Sequence, residues 1–417
     1  MKFALLCAAS TALASMSFFP PLALAQSGPL TAGPIEVAKE TTLDVIVDGT
    51  LRYEALNRPA SAAADADAVT FRMRSGAELV SHGFFVLGEG EATLAIVDHY
   101  NDTIPGNGIE PYAVVPDPEN VELNRLQLGY KSGTTALTIG RQRIALDDHR
   151  FVGNVGWRQN EQTFDAMRAQ GRIGPVALDA SYAISQRTIF GIDSPNSHFG
   201  GDMILLNGGL EAKFAQITGF AYLLDYDAEK PGRLAFSSQS YGVRAAGAIP
   251  VGAIVRLQYL ASYARQSDFG NNPVSYSADY INGEAGLAVG PVGLKGGYEL
   301  LGSDDGIAAF QTPLATLHKF NGFADLFLTT PADGLQDYYG TARINAGDVA
   351  VLEGVHAAVT YHRFESDTGG LDYGSEWDAV LGFRLGRIGM LAKYAHYDAD
   401  TFGNDTEKFW LEASFSY

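Results

Sequence analysis

Phe409-Trp410-Leu411-Glu412-Ala413-Ser414-Phe415-Ser416-Tyr417, the last stretch of the sequence, alternates strictly. Phe409, Leu411, Ala413, Phe415 and Tyr417 share one face of a strand, and Trp410, Glu412, Ser414 and Ser416 share the other, a period of two. A strand with one apolar face and an aromatic last residue suits the closing seam of a barrel, where each edge must find a partner. A soluble sheet can end the same way, so the rest of the chain has to decide.

Working outward, the same alternation opens the chain. Leu43, Val45, Val47, Leu51, Tyr53 and Ala55 stand against Asp44, Asp48, Thr50, Arg52 and Glu54. Soluble strands usually run about five or six residues, whereas crossing a bilayer at a tilt takes about nine to eleven. The run over 43–55 matches the second case. Between these two strands, short connections such as Ser75-Gly76, Ser132-Gly133, Gly171 to Gly174, Ala248 to Gly252, Val289 to Val292, Asn345 to Asp348 and Leu385 to Arg387 alternate with long polar segments. The long ones include 100–120, 193–202, 225–239, 266–275, 303–333, 365–375 and 398–407. This rhythm predicts an all-β fold: a transmembrane antiparallel β-barrel of about 18 strands, with short periplasmic turns and long extracellular loops. The even count requires 321–328 to be loop.

Composition agrees with strands and turns. There are 47 Gly, 20 Tyr and 23 Phe among 417 residues but only 6 Met. No stretch of eighteen apolar residues follows the N-terminal segment, which excludes a transmembrane helix there. Met1-Lys2, the apolar run 3–14 and Ala23-Leu24-Ala25 before Gln26 have the regions of a secretory signal peptide, so we expect 1–25 to be a signal, 26–40 a leader and 41–417 a single barrel domain. The one cysteine, Cys7, lies in the signal, leaving the mature chain without disulfides or cysteine chemistry. The net charge of −19 disfavours a nucleic-acid partner.

Taking each apolar face as lipid-facing, the opposite faces line the lumen, because a charge facing lipid at the midplane costs about 2–4 kcal/mol. They carry Arg52, Arg72, Arg74, Arg125, Lys131, Arg187, Arg244, Arg256, Lys295, Arg343, Arg384 and Lys393, with the acids Asp44, Asp48, Glu54, Asp179, Glu284, Glu299, Asp378 and Glu412. The bland reading is a wall cross-braced by ion pairs. The functional one is a surplus of bases that favours carboxylated or phosphorylated solutes.

Two stretches break the rhythm. Gly140 to Ala166, GRQRIALDDHRFVGNVGWRQNEQTFDA, is long, basic and polar, and Leu317 to Asp337 reads LHKFNGFADLFLTTPADGLQD. The first resembles the signature of the alginate-export family of outer-membrane barrels, and the second resembles that family's later block. The resemblance implies a monomeric barrel of about eighteen strands in a Gram-negative outer membrane, in contact with lipid and lipopolysaccharide and inserted by the barrel-assembly machinery. It also implies a basic lumen that passes an anionic polysaccharide without energy input, and it places the first block near the pore. Arg141, Arg143, Arg150 and Arg158 of that block join the candidate pore-lining, anion-binding set. Arg141 and Arg143 share parity with Leu137 and Ile139, so either a bulge shifts the register or the strand leaves the bilayer before Arg141. The alternative is a structural loop held by Asp147, Asp148 and Glu161.

No Gly-x-Ser-x-Gly elbow or His-Glu-x-x-His pair occurs. His356 and His362 share a face but stand roughly 20 Å apart on a strand, too far for one metal. We therefore expect no enzymatic activity, cofactor or metal. Three functions remain: passage of an anionic polymer, uptake of small acidic solutes, and a non-transport structural or adhesive barrel.

Overall fold

Alternation over 43–55 extends into a longer strand, Thr41–Asn57, in the computed structural model, which describes residues 34–416. The signal expected over 1–25, the leader residues up to 33 and Tyr417 lie outside the described residues. Among the described residues nineteen strands form one sheet. The first, Ile35–Ala38, pairs with the start of Thr41–Asn57, and the other eighteen form a closed antiparallel barrel. Closure comes from the strand that opened the argument: Thr406–Ser416 pairs with Thr41–Asn57 from Glu407 opposite Asn57 to Ser416 opposite Asp48. Every edge of the eighteen-strand barrel is thereby paired, as a bilayer demands.

Tight turns at 82–83, 133–134, 174–175, 213–214, 252–254, 290–291, 350–351 and 386–387 mark one end of the barrel. Longer connections mark the other, the largest at 100–119, 143–162 and 302–334. Residues 321–328 are loop, which keeps the barrel count even. In outer-membrane barrels the short-turn end faces the periplasm.

Two expected turns are strand instead. Ala66–Ser81 runs straight through Ser75-Gly76, and the chain reverses at His82 and Gly83, both at positive φ as a two-residue hairpin needs. A Cβ on Gly76 would meet the Gly88 carbonyl, so this glycine serves close strand approach. Asn345 to Asp348 likewise belongs to Leu335–Val349, where Gly347 (φ +70°) sits in an irregular stretch of the register.

The outside and inside of the barrel follow the alternation. Val243, Leu257, Leu381 and Leu411 are exposed on the outer face. The buried core lies within the lumen, where Ile144, Val152 and Trp157 of one loop and Phe310, Leu314 and Phe327 of another pack against wall residues including Phe220, Tyr280, Phe364, Tyr397 and Trp410. The core of this protein is a filling of loops inside its barrel.

Candidate functional site

Loops 143–162 and 302–334 fold back into the loop-end half of the lumen and hold each other there. Arg150 is the clearest joint. Its Nε lies 2.7 Å from Glu299 Oε1 on the wall, and its two terminal nitrogens donate to Thr312 Oγ1 (2.9 Å) and Asn321 Oδ1 (3.2 Å) on the other loop. Asn321 in turn donates to Glu299 (2.7 Å) and Asp337 (3.2 Å). A fork with five donors suits a position where three separate acceptors converge.

Trp157 makes the second joint. Its ring stacks on His318 at 4.6 Å and 6°, with Trp410 edge-on at 5.9 Å. Arg158 beside it reaches Glu54 (3.0 Å) and Asp325 (3.1 Å). The loop 100–119 adds Asp117, fully buried, which accepts from the Gln159 backbone and lies 3.4 Å from Arg52. The tip of 302–334 rests on the wall through backbone donors: Phe323 N–H to Asp378 (3.1 Å) and Ala324 N–H to Glu376 (2.7 Å).

Many of the cations expected in the pore are tied into this filling or to the wall around it. Arg52 also pairs with Glu412 at 2.6 Å and donates to the Trp157 carbonyl. Arg72 pairs with Asp48 and Thr50. Arg74 pairs with Glu91 and reaches the Gln159 carbonyl, Arg125 grips Glu89 with two bonds, and Arg143 spans Glu161 and Glu89. Glu161 is thus an anchor of the first block. Lys393 contacts His318 and sits over the rings of Phe323 and Trp157.

Arg141 and Arg187 are corrections to the pore-lining set. Arg141 keeps the outward parity of Leu137 and Ile139, and meets Asp165 at 2.8 Å on the neighbouring strand. Arg187 follows an irregularity between Ala183 and Ser185 that flips the faces beyond it. Gln186 then faces the lumen, bonded to Gln162, while Arg187 turns outward, 3.6 Å from Asp165.

The turn-end half of the lumen is wetter. Lys131 lies 3.8 Å from Glu78, Arg384 lies 2.9 Å from Glu353, and Lys295 lies 2.8 Å from Glu284. Arg256 and Arg343 occupy one row of the sheet, separated by Ala288 and Gly293. Arg343 lies across Gly293, where any side chain would collide with it. Small residues therefore let two guanidinium groups approach along the wall. Among the described residues no carboxylate is within ion-pairing distance of Arg256.

One row further in, Lys295 faces the same side, and beyond it Lys319 donates to the Asp148 backbone carbonyl (2.6 Å) while Arg244 pairs with the Asp148 carboxylate (3.2 Å). Burial works against the charge of Asp148, but Arg244 and Lys319 overcome it and hold the carboxyl down at about 2. Burial first and Lys319 second push the neighbouring His149 down to about 4, so it is neutral at physiological pH. Lys319 escapes a strand-parity search because it stands on a loop. Its only signal is membership of the polar second block. Arg168, inward on Thr163–Ile173 and bound to Asp179, is another that the sequence pattern misses.

Residues 91–194 match the alginate export family model. This span contains the first polar block and the loop that fills the lumen; the second block lies beyond it. Solved barrels agree on the fold. The chain is similar to the crystal structure of Acinetobacter baumannii OccAB3 at 16% identity, with a TM-score of 0.69 over 90% of this chain and 99% of that one. It is similar to Pseudomonas aeruginosa OccK9 (OpdG) at 15% identity and a TM-score of 0.69, over 89% and 98%. Pseudomonas aeruginosa OpdK, solved with vanillate, gives 14% and 0.66 over 90% and 98%. No curated protein matches the chain. A closed eighteen-strand barrel with this family match and these outer-membrane neighbours belongs in the outer membrane, in contact with its lipids.

Proposed function

We propose that this barrel is a passive, non-enzymatic conduit for an anionic, uronate-type polysaccharide or oligosaccharide. The observation that carries the reading is the basic wall of the wet half-lumen. Arg256, Arg343, Lys295 and Lys319 rise from the turn end to the base of the loops, with Glu284 beside Lys295, and buried Arg244, paired with Asp148, closes the row. Successive carboxylates of a chain would pass from one cation to the next without a deep binding well, which conduction requires. Guanidinium groups suit this because they take carboxylates bidentately.

Uptake of small acidic solutes is the second reading. It is favoured by the similarity to a barrel solved with vanillate, itself a carboxylate. It needs only a local part of the same basic wall. Both readings predict anion-selective conductance in a planar bilayer, reduced by the double variant Arg256→Ala with Arg343→Ala. Block by long oligo-uronates in preference to monomeric acids supports the polymer, and the reverse order supports uptake. A cation-selective pore indifferent to both would overturn the basic-wall reading. A barrel that never conducts would return weight to a structural or adhesive role.

A further inference from the structure

Three segments meet at one buried imidazole. His318 lies in the single turn Leu317–Lys319, its ring flat against Trp157 of the other loop and against Phe323 of its own. Its Nδ1 is 2.8 Å from Asp325 Oδ1 and its Nε2 is 2.5 Å from the Lys393 ammonium on the wall strand Ile388–Ala399. A carboxylate only accepts and an ammonium only donates. The ring proton therefore sits on Nδ1, and Nε2 is an acceptor. A second proton would have no acceptor and would point at a cation.

The tip beyond His318 is held from outside. Asn321 and Asp325 adopt left-handed backbone (φ +55° and +62°), which non-glycine residues enter at a cost that Asn and Asp bear best. Their surroundings fix them: Asn321 on Glu299 and Asp337, Asp325 on Arg158 and Lys408, and the peptide between them on Glu376 and Asp378. His318 is the one neutral base in this set.

We propose that His318 is an acid-operated latch: it seats the 302–334 loop in the lumen by accepting from Lys393, and its protonation releases the loop. The channel reading supplies only the consequence, a wider lumen in acid. Burial, reinforced by Lys393 and Arg158 against the pull of Asp325, holds the seated imidazole neutral well below its ordinary range. The released imidazole takes a proton near pH 6.5. Because the seated pKa is the lower one, seating is fully favoured above that pH and weakens up to about tenfold per unit below it.

The charged and titratable groups against His318 and its tip are Asp325 on its own loop, Arg150 and Arg158 on 143–162, Arg52 and Glu54 on Thr41–Asn57, Glu299 on Val292–Leu301, Asp337 on Leu335–Val349, His362 on Leu352–Glu365, Glu376 and Asp378 on Asp372–Leu385, Lys393 on Ile388–Ala399, and Lys408 on Thr406–Ser416. Two other imidazoles stand at the interface: His149, 3.5 Å from Thr316, and His362, bonded to Asp337 and 3.7 Å from Asp378. The test therefore runs in a His149→Asn, Cys7→Ser background with a reporter thiol, Ala324→Cys, at a residue with no exposed surface. Labelling of the bilayer-reconstituted protein by a water-soluble maleimide is compared at pH 7.5, 6.5 and 5.0, normalised to an exposed Asn404→Cys control.

The latch predicts a rise in normalised labelling of about 30-fold from pH 7.5 to 5.0, of which about 16-fold falls between pH 6.5 and 5.0, lost in His318→Gln. Lys393→Met, which removes the facing cation so that the seated ring can take the proton, flattens the response as well and guards against a His318 variant that fails to fold. Equal labelling at all three pH values overturns the proposal. So does an unchanged acid response in both variants, which would transfer it to His362, Glu376 and Asp378. Conductance recorded in parallel tests the channel reading separately, since the thiol reports on the loop whether or not the barrel conducts.

Discussion

In the loop-end half of the lumen the Arg150 side chain is 3% exposed and has three buried partners, whereas in the turn-end half Lys131 is 42% exposed and its carboxylate, Glu78, lies 3.8 Å away. Both are lumen cations by parity or placement, yet water separates their roles. A buried charge that loses its partner leaves the other one stranded at several kcal/mol, while a wet pair is worth about 0–1 kcal/mol. The cations among the loops are therefore committed to the fold. Those on the wet wall can exchange a wall carboxylate for one of a passing solute at little cost.

The largest effect that would test this contrast is the loss of Arg150. Arg150→Ala should destabilise the barrel by about 3–5 kcal/mol, read as a shift of the urea midpoint in lipid, because Glu299 stays buried without its cation. Tyr280, Asn282 and Asn321 still donate to Glu299, which places the result toward the lower end. Adding Glu299→Gln should restore a large part of the loss. A cost below about 1 kcal/mol would mean that the loop-end half is as wet as the other.

A smaller effect separates the loop tip from an outer connection. Gly322 (φ +86°) and Gly370 (φ +63°) share a left-handed backbone, for which an alanine costs roughly 1–2 kcal/mol. A Cβ at 322 would also collide with the Glu376 carboxylate, whereas at 370 it would meet open space. Gly322→Ala should thus exceed Gly370→Ala in midpoint shift, and should also expose the Ala324 reporter site. Equal shifts would show that the tip is not pressed against the wall.

The barrel was legible because alternation is forced on any strand with lipid on one side and a polar lumen on the other. Local glycine signals were less faithful. Ser75-Gly76 and Asn345 to Asp348 have turn composition, but their glycines serve close approach and an irregular register within strands. Arg187 shows how little it takes to misplace a side chain: one irregularity at Ile184 reverses every face after it. The filling of the lumen was half legible. The density of arginine and amide side chains over 140–166 marked a loop with work to do, but its partners lie far along the chain. Arg150 and Glu299 are 149 positions apart, and no local period encodes such a meeting. Lys319 and His318 stayed inconspicuous for the same reason, since their chemistry comes from Asp148 and Lys393, which only the folded loop brings within reach.

The smallest expected effect on stability is the one that most sharpens the comparison. Lys131→Ala removes a cation that rests over the Phe85 ring and lies at the edge of ion-pairing distance from Glu78, both toward the turn end. The cost should stay under about 1 kcal/mol, within the range of solvated pairs. Raising the salt to 1 M should shrink it further, because screening then acts over about 3 Å. Arg150→Ala should keep nearly all of its cost in the same salt, since ions do not enter a dry joint. If both variants respond to salt alike, the two halves share one medium. In that case the basic wall would have no privileged access to solutes, and the distinction between cations that hold the fold and cations that meet the cargo would fall.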